Sequence, residues 1–244
     1  MASTKKPSLA KKPARPRVSP EAAYAKPVRK VSKLKERAAE VVEQLARMYP
    51  DAKCSLDFTN AFELLIATML SAQSTDVRVN IVTKSLFRKY PGAVDFASAD
   101  QVAMERDVRQ TGFFRNKAKA VIAASRAIML NHAGQVPASM EALTALPGVG
   151  RKTANVVLSN AFKTPAGVVV DTHVTRVSGR LGFTPQSDAE KIERDLMALI
   201  AQPEWTSFGH RLILHGRSIC VARKPKCALC GINSLCPSAQ EAEE

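Results

Sequence analysis

The chain has 244 residues, with 36 Lys and Arg against 22 Asp and Glu and a formal net charge of +14. This excess of positive charge favours a nucleic-acid partner, because phosphate neutralisation dominates such binding. No stretch approaches the roughly 20 apolar residues of a membrane span, so the composition argues against a membrane protein and predicts a soluble one.

The positive charge is concentrated at the N-terminus. Residues 1–37 hold twelve Lys and Arg, two Glu and five Pro, and they contain few large apolar side chains. Such a stretch cannot bury a core. We predict a disordered basic arm over residues 1–33 that raises DNA affinity through counterion release. A mitochondrial transit peptide and a segment that only maintains solubility are the alternatives.

Beyond residue 34 the apolar periodicity is almost wholly helical, with breaks at Pro and Gly residues. About 205 ordered residues are enough for one large or two small helical domains, so we predict an all-α fold. The apolar stripes are Leu34, Ala38, Val41, Val42, Leu45 and Met48; Phe62, Leu65, Ile66, Met69 and Leu70; and Ala118, Val121, Ile122, Ser125 and Met129.

The sequence LPGVGRKTA at residues 146–154 predicts a turn containing Gly148 and Gly150, followed by an amphipathic helix. Lys152 then lies in the first helical turn. The partial positive charge of a helix N-terminus disfavours a protonated amine, and a neutral lysine is a nucleophile. Exposed N–H groups in the same turn also suit a phosphate. An ordinary turn followed by a solvated lysine is the alternative.

Asp171 lies in the sequence VDTHV, directly after three valines that we expect to form a short extended approach. A carboxylate here is a suitable partner for an amine nucleophile. The competing interpretation is a helix N-cap, because Asp is among the preferred capping residues.

Four cysteines near the C-terminus are confined to one small loop. A single metal centre can bind all four, whereas disulfides are disfavoured because no secretory signal is visible and Cys54 would be left over. Four thiolates suit either tetrahedral zinc or an iron-sulfur cluster, and the spacing does not choose between them. The cysteines are Cys220, Cys227, Cys230 and Cys236, separated by six, two and five residues.

In this order, LPGVGRKTA, VDTHV and the cysteine pattern resemble endonuclease III of the helix-hairpin-helix DNA glycosylase superfamily. The resemblance covers about residues 34–238, and it includes LSAQSTD at residues 70–76 and LILHGR at residues 212–217. It implies that the cysteine centre is a 4Fe-4S cluster rather than zinc.

The resemblance also implies two helical domains with a catalytic and DNA-binding groove between them. The central domain, at residues 54–164, would contain the helix-hairpin-helix. The second, built from residues 34–53 and 165–240, would surround the cluster. Lys152 and Asp171 would then face each other across the groove.

The implied activity is base excision repair of oxidised pyrimidines in duplex DNA, with an associated AP lyase step. The damaged base would be flipped out of the helix, Lys152 would attack C1′ of the sugar, and Asp171 would stabilise the developing positive charge and help to deprotonate the lysine. The resulting Schiff base would allow β-elimination. The implied protein is a monomer in the bacterial cytoplasm, at the nucleoid, and its partner is DNA with damaged pyrimidines or abasic sites.

The resemblance assigns further side chains to the DNA. Gln73 would fill the hole left by the flipped base, and Phe113, where many members have leucine, would be a wedge; packing in the core is the alternative for Phe113. Ser71 and Asp76 match lesion-pocket positions, although Asp76 is also a candidate cap for a helix beginning at Val77. The remaining implied DNA contacts are Gly148, Gly150, Arg151 and Thr153 of the hairpin and Arg223, Lys224 and Lys226 of the cysteine loop, for which a solvated surface is the alternative.

Two other functions compete with this one. An adenine glycosylase of the same superfamily is expected to lack Lys152 and to add a C-terminal domain, whereas this sequence has the lysine and ends eight residues after Cys236. A helix-hairpin-helix module without catalytic activity would bind DNA and not cut it. We also expect Cys54 to be a small buried hydrophobe.

Overall fold

The computed structural model describes residues 31–239. The predicted basic arm, residues 1–33, therefore lies outside the described residues apart from the start of the first helix. Within residues 31–239 the regular structure is entirely helical, which confirms the all-α prediction. The α-helices are α1 (Val31–Met48), α2 (Ala61–Leu70), α3 (Asp76–Lys89), α4 (Ala93–Ser98), α5 (Gln101–Asp107), α6 (Phe114–Asn131), α7 (Met140–Thr144), α8 (Arg151–Asn160), α9 (Thr172–Arg180), α10 (Ala189–Leu199) and α11 (Trp205–Ser218).

Side-chain caps fix where several of these helices begin. The Asn60 side chain accepts a hydrogen bond from the Glu63 backbone N–H at 3.0 Å and starts α2. Thr75 caps α3 in the same way by accepting from the Arg78 N–H. Because α3 begins at Asp76 with Thr75 as its cap, the alternative in which Asp76 caps a helix beginning at Val77 is wrong by one residue.

The apolar residues form two separate cores. One is built from α2 to α8, with Leu64, Leu65 and Phe96 fully buried. The other joins α1 to residues 168–170 and the helices that follow, around Leu45 and Phe208. The division of the chain into domains at these boundaries stays a prediction, and this separation of the cores supports it.

The first helix belongs with the C-terminal part of the chain. Arg37 of α1 donates from Nη1 to the carbonyl oxygens of Leu181 and Leu235, at 2.7 and 2.9 Å. Since these carbonyls lie at the end of α9 and in the cysteine loop, one side chain joins three distant segments. No helix in residues 31–239 has both the length and the apolar composition that a membrane span requires.

Candidate active site

The turn before α8 depends on one of its two glycines. Gly148 has φ +76°, and a Cβ there would lie 2.9 Å from Ala120 Cβ and 3.3 Å from Met69 Cε. Gly150 is the N-cap of α8 with φ −92°, which any residue adopts. A Cβ at Gly150 would have no atom within 4 Å, so this glycine leaves open space in front of the helix N-terminus. The predicted conformational freedom is therefore used at Gly148 alone.

Lys152 is the second residue of α8 and is exposed. Among the described residues its side chain has no hydrogen bond and no ion pair, which leaves the amine available to a ligand. Its neighbour Arg151 donates from Nε to Glu193 Oε2 at 2.7 Å and from Nη2 to Oε1 at 3.1 Å. Asn155 Nδ2 donates to the same carboxylate at 3.1 Å. The DNA contact predicted for Arg151 stays a prediction, but its guanidinium already has a protein partner that ties α8 to α10.

Asp171 is the N-cap of α9, as the alternative interpretation predicted. Its Oδ1 accepts hydrogen bonds from the backbone N–H groups of His173 and Val174, both at 2.8 Å. Its Oδ2 has no hydrogen-bond partner among the described residues. Capping and a chemical role therefore do not compete here, because the cap orients the carboxylate and leaves one oxygen for the cleft.

An open cleft of about 940 Å³ brings together residues from both hydrophobic cores. Its lining combines the C-terminal end of α2, the first turn of α8 and the start of α9 with side chains of α11. Six of the residues predicted to serve the site line this cleft: Ser71, Gln73, Asp76, Lys152, Thr153 and Asp171.

An ion pair that the sequence did not reveal crosses this cleft. Arg217 of α11 donates from Nη2 to Asp76 Oδ2 at 2.8 Å. Arg217 lies in the LILHGR run, but nothing in that run indicates which carboxylate it meets. Asp76 was predicted to be a pocket residue, and in the structure it also connects the two halves of the cleft.

Two further cleft residues are partly buried. His210 Nε2 lies 2.9 Å from Asn160 Oδ1, and burial lowers the pKa of this imidazole. Cys54 is partly buried, packs against the first hydrophobic core and also lines the cleft, so the prediction of a small buried hydrophobe is confirmed in part. Burial still raises the pKa of the Cys54 thiol.

Gln73 and Phe113 share an uncommon backbone conformation. They have φ of 55° and 46°, in the left-handed region that non-glycine residues rarely adopt, and both are exposed. Phe113 keeps 63% of its surface exposed, so the alternative in which it packs in the core is wrong. Each residue projects from a short turn between helices.

The four C-terminal cysteines surround a second cavity, of about 410 Å³. All are unpaired thiols, so none forms a disulfide. Within residues 31–239, no three His, Cys, Asp or Glu side chains converge closely enough to hold a single metal ion. Four thiols that line one cavity are a suitable ligand set for an iron-sulfur cluster.

The surroundings of the cavity also suit a cluster. Arg180 Nη1 donates to Cys220 Sγ at 3.2 Å, and His215 Nε2 lies 3.6 Å from Cys230 Sγ. Burial lowers the pKa of His215 to about 4 and raises the pKa of the Cys230 and Cys236 thiols. A bound metal offsets the cost of burying these thiolates, because its positive charge stabilises them.

The basic residues of the cysteine loop are all exposed. Arg223, Lys224 and Lys226 lie between the first two cysteines, and Lys224 has φ 51°. Their side chains have no ion-pair partner among the described residues. The DNA contacts predicted for them, and for the hairpin glycines, stay predictions.

Comparison with known proteins decides the family. Residues 66–202 match the HhH-GPD superfamily of base excision DNA repair proteins, and residues 220–236 match the iron-sulfur binding domain of endonuclease III. Endonuclease III of Synechocystis sp. is 53% identical over 213 residues, which are 87% of this chain and 97% of the relative. The chain belongs to the endonuclease III family.

Solved structures agree with this assignment. A non-covalent endonuclease III–DNA complex matches with a TM-score of 0.80 and 44% identity, covering 84% of this chain and 96% of the other. A trapped endonuclease III–DNA covalent intermediate matches equally well, with 43% identity. The activity of the family is base excision by a DNA glycosylase with an associated AP lyase, and its cofactor is a 4Fe-4S cluster. Both predictions are confirmed at this level.

Proposed function

We propose that Lys152 is the nucleophile and Asp171 its carboxylate partner in the removal of oxidised pyrimidines from duplex DNA. The observation that carries this proposal is their placement in one cleft, with an unpartnered amine on one wall and a free carboxylate oxygen on the other. The trapped covalent complex of the related endonuclease III supports a covalent route.

The first step is displacement of the damaged base. A base inside the duplex is out of reach, so the nucleotide is flipped into the cleft. Lys152 Nζ first loses its ammonium proton to water and then forms a bond to C1′ as the C1′–N bond breaks, and the base leaves with that electron pair and takes up a proton. Positive charge develops on the sugar, and the carboxylate of Asp171 stabilises it from a fixed position.

The second step cuts the strand. The aminium adduct loses one proton, and its nitrogen lone pair then forms a C1′=N bond as the C1′–O4′ bond opens and O4′ takes up a proton. The product is a protonated Schiff base, which acidifies the C2′ proton. Asp171 Oδ2, which lines the same cleft and has no partner in the described protein, is the candidate base for proton transfers at the adduct. When the C2′ proton leaves, a C1′–C2′–C3′ electron shift expels the 3′ phosphate. Water then hydrolyses the imine and regenerates the lysine.

Other parts of the chain hold the DNA. Gln73 enters the space left by the flipped base, and Phe113 separates the opposite strand, since both are exposed, Gln73 on the turn after α2 and Phe113 on the turn before α6. The backbone N–H groups in front of α8 donate to a phosphate where Gly150 leaves room. Arg223, Lys224 and Lys226 neutralise further phosphates. We place this activity on nucleoid DNA, as for a bacterial repair enzyme.

The four cysteines are the proposed ligands of the cluster. The bound cluster supplies a covalent cross-link for a loop that has little core of its own, and the chain's residues perform the chemistry without it. Arg180 orients this loop by donating to the carbonyl oxygens of Val221 and Ala222, at 2.8 and 2.9 Å.

Borohydride trapping on a duplex containing thymine glycol tests the assignment. We expect an adduct with the native protein and with Lys53→Ala, a second lysine of the same cleft, and none with Lys152→Ala, whose base release should slow by roughly a thousandfold or more. Asp171→Asn keeps a good N-cap, so its expected loss of roughly a hundredfold reports chemistry rather than folding.

The other outcomes exclude the proposal. Base release by the native protein without an adduct would indicate a monofunctional glycosylase. If the native protein binds duplexes with a panel of lesions but neither releases a base nor cuts a strand, the protein is a non-catalytic DNA-binding module. An adduct that persists in Lys152→Ala would place the nucleophile elsewhere.

A further inference from the structure

Lys117 is a buried lysine on α6 that the proposed chemistry does not use. Only 7% of the residue is exposed. Within residues 31–239 no carboxylate forms an ion pair with it, and burial lowers the pKa of its ammonium. Burying a charge without a counter-ion costs free energy, so the groups that surround Lys117 must compensate for its burial.

Those groups are two backbone carbonyls. Lys117 Nζ donates to the carbonyl oxygen of Leu70 at 2.7 Å and to that of Thr111 at 2.6 Å. Leu70 is the last residue of α2, and Thr111 is the last residue of the 3-10 turn Arg109–Thr111. The final carbonyls of a helix have no partner within it and carry partial negative charge, so the ammonium binds two helix ends at once.

Each of these helix ends leads directly to an exposed residue with an unusual backbone. Gln73 follows Leu70 by three positions, and Phe113 follows Thr111 by two. Both have positive φ, a conformation that surrounding contacts must maintain. Lys117 therefore donates hydrogen bonds to the base of both turns.

We propose that Lys117 is a positioning residue that holds the Gln73 and Phe113 turns at a fixed separation, so that both side chains enter the duplex together when a base is flipped. This inference rests on the proposed function, because it needs Gln73 and Phe113 to contact DNA. It adds a residue that touches neither the DNA nor the reacting atoms.

Single-turnover excision of thymine glycol from duplex DNA, measured in a double-mutant cycle, tests the inference. Lys117→Met keeps the length and apolar stem of the side chain and removes the donors. We expect it to slow excision at least tenfold in the native background. In a Gln73→Ala/Phe113→Ala background the same change should slow excision less than twofold, because residues that act as a unit are not additive. A purely structural role would slow both backgrounds equally, and that result would overturn the inference.

A second measurement separates positioning from chemistry. Cleavage at an abasic site in a single-stranded oligonucleotide needs Lys152 but no wedge, so Lys117→Met should leave its rate within twofold of the native value. A parallel tenfold loss on the single strand would contradict the inference. Lys119→Met, an exposed lysine two residues along the same helix, is the matched control for removal of one positive charge and should leave duplex excision within twofold.

The test remains decisive if Lys117→Met does not fold. Lys117→Arg keeps charge and donors but changes their reach, so it should slow duplex excision and leave single-strand cleavage unchanged; an equal loss on both substrates would overturn the inference. If the native protein excises and traps while Lys117→Met excises at the native rate, only this inference fails. If the native protein neither excises nor traps, the proposed function fails instead.

Discussion

The cleft and the cysteine cavity use polar side chains in opposite ways. The cleft is open, about 940 Å³, and its central groups, the Lys152 amine and one oxygen of Asp171, have no partner in the described protein. The cavity is smaller, about 410 Å³, and the Arg180 guanidinium beside it donates to three successive carbonyls, those of Cys220, Val221 and Ala222. Groups that are satisfied stabilise a structure, and groups left unsatisfied are available to a substrate.

This difference indicates that stability and chemistry are carried by different parts of the chain. The cavity is formed by a loop whose regular structure is two short 3-10 turns, Cys227–Leu229 and Asn233–Leu235, so we expect this loop to depend on a cross-link between its cysteines. Burial behind the cleft is supplied by helices that are already stable. Changes at the cavity should therefore act on folding, and changes in the cleft should act on reaction rates.

The largest expected effect on stability is at the cavity. Cys236→Ser removes a proposed cluster ligand, and a structural metal contributes about 10 kcal/mol to folding in small metal-binding domains. We expect loss of the visible absorbance of the cluster and a fall of several kcal/mol in the free energy of unfolding. Absorption spectroscopy and denaturant unfolding measure both.

Cys54→Ser is the matched control, because Cys54 is a half-buried thiol of the cleft rather than of the cavity. It should keep the cluster absorbance and change the free energy of unfolding by less than about 1 kcal/mol. If Cys236→Ser keeps its full absorbance, the proposed ligand set is incorrect and the contrast between the two regions breaks down.

A smaller effect is expected within the turn that carries Lys152. Gly148→Ala forces a Cβ into a left-handed position 2.9 Å from Ala120 Cβ. The conformational and packing costs together should lower the free energy of unfolding by about 2 to 4 kcal/mol. At Gly150 a Cβ has space and φ is ordinary, so Gly150→Ala should lower the free energy of unfolding by less than about 1 kcal/mol. It should also weaken DNA binding, because the added methyl group fills the space in front of the helix N-terminus. Equal destabilisation by the two changes, measured by thermal unfolding, would contradict this division of roles.

Local patterns in the sequence predicted the helices, the positions of Lys152 and Asp171 at helix starts, and the confinement of four cysteines to one loop, whereas the other cleft residues and the type of cluster came from the family resemblance. Apolar spacing defines a helix face, and a preferred capping residue marks a helix start, as at Asp171. The presence of a turn before α8 could also be predicted from the local sequence. Which of its two glycines lacks space for a side chain could not, because the residues that crowd Gly148 are Ala120 and Met69, which are far from it in the sequence.

Contacts between distant segments were not predictable in this way. The ion pairs of Arg151 with Glu193 and of Asp76 with Arg217 join residues 42 and 141 positions apart. Nothing in the sequence distinguishes Lys117 from its exposed neighbour Lys119, and only the fold brings it to two helix ends. Conversely, Cys54 is a small residue that packs against the first core and also reaches the cleft.

The smallest expected effect on stability is at the Asp76–Arg217 ion pair. The two side chains are 24% and 43% exposed, so water screens the attraction and the pair should contribute less than about 1 kcal/mol. Asp76→Asn also removes a favourable charge from the first turn of α3, which Arg217→Gln leaves in place. A double-mutant cycle in urea therefore isolates the pair, and its coupling energy should decrease as salt is added.

The same variants then extend the comparison from stability to rate. Asp76 lies in the cleft at a proposed pocket position, so Asp76→Asn should slow excision by more than its small loss of stability can explain. If Asp76 only joined the two halves of the cleft, the same change would leave the excision rate unchanged. If excision by Asp76→Asn stays at the native rate while the free energy of unfolding falls by several kcal/mol, this side chain behaves like the cavity residues. The cleft would then contribute to folding as well as to chemistry.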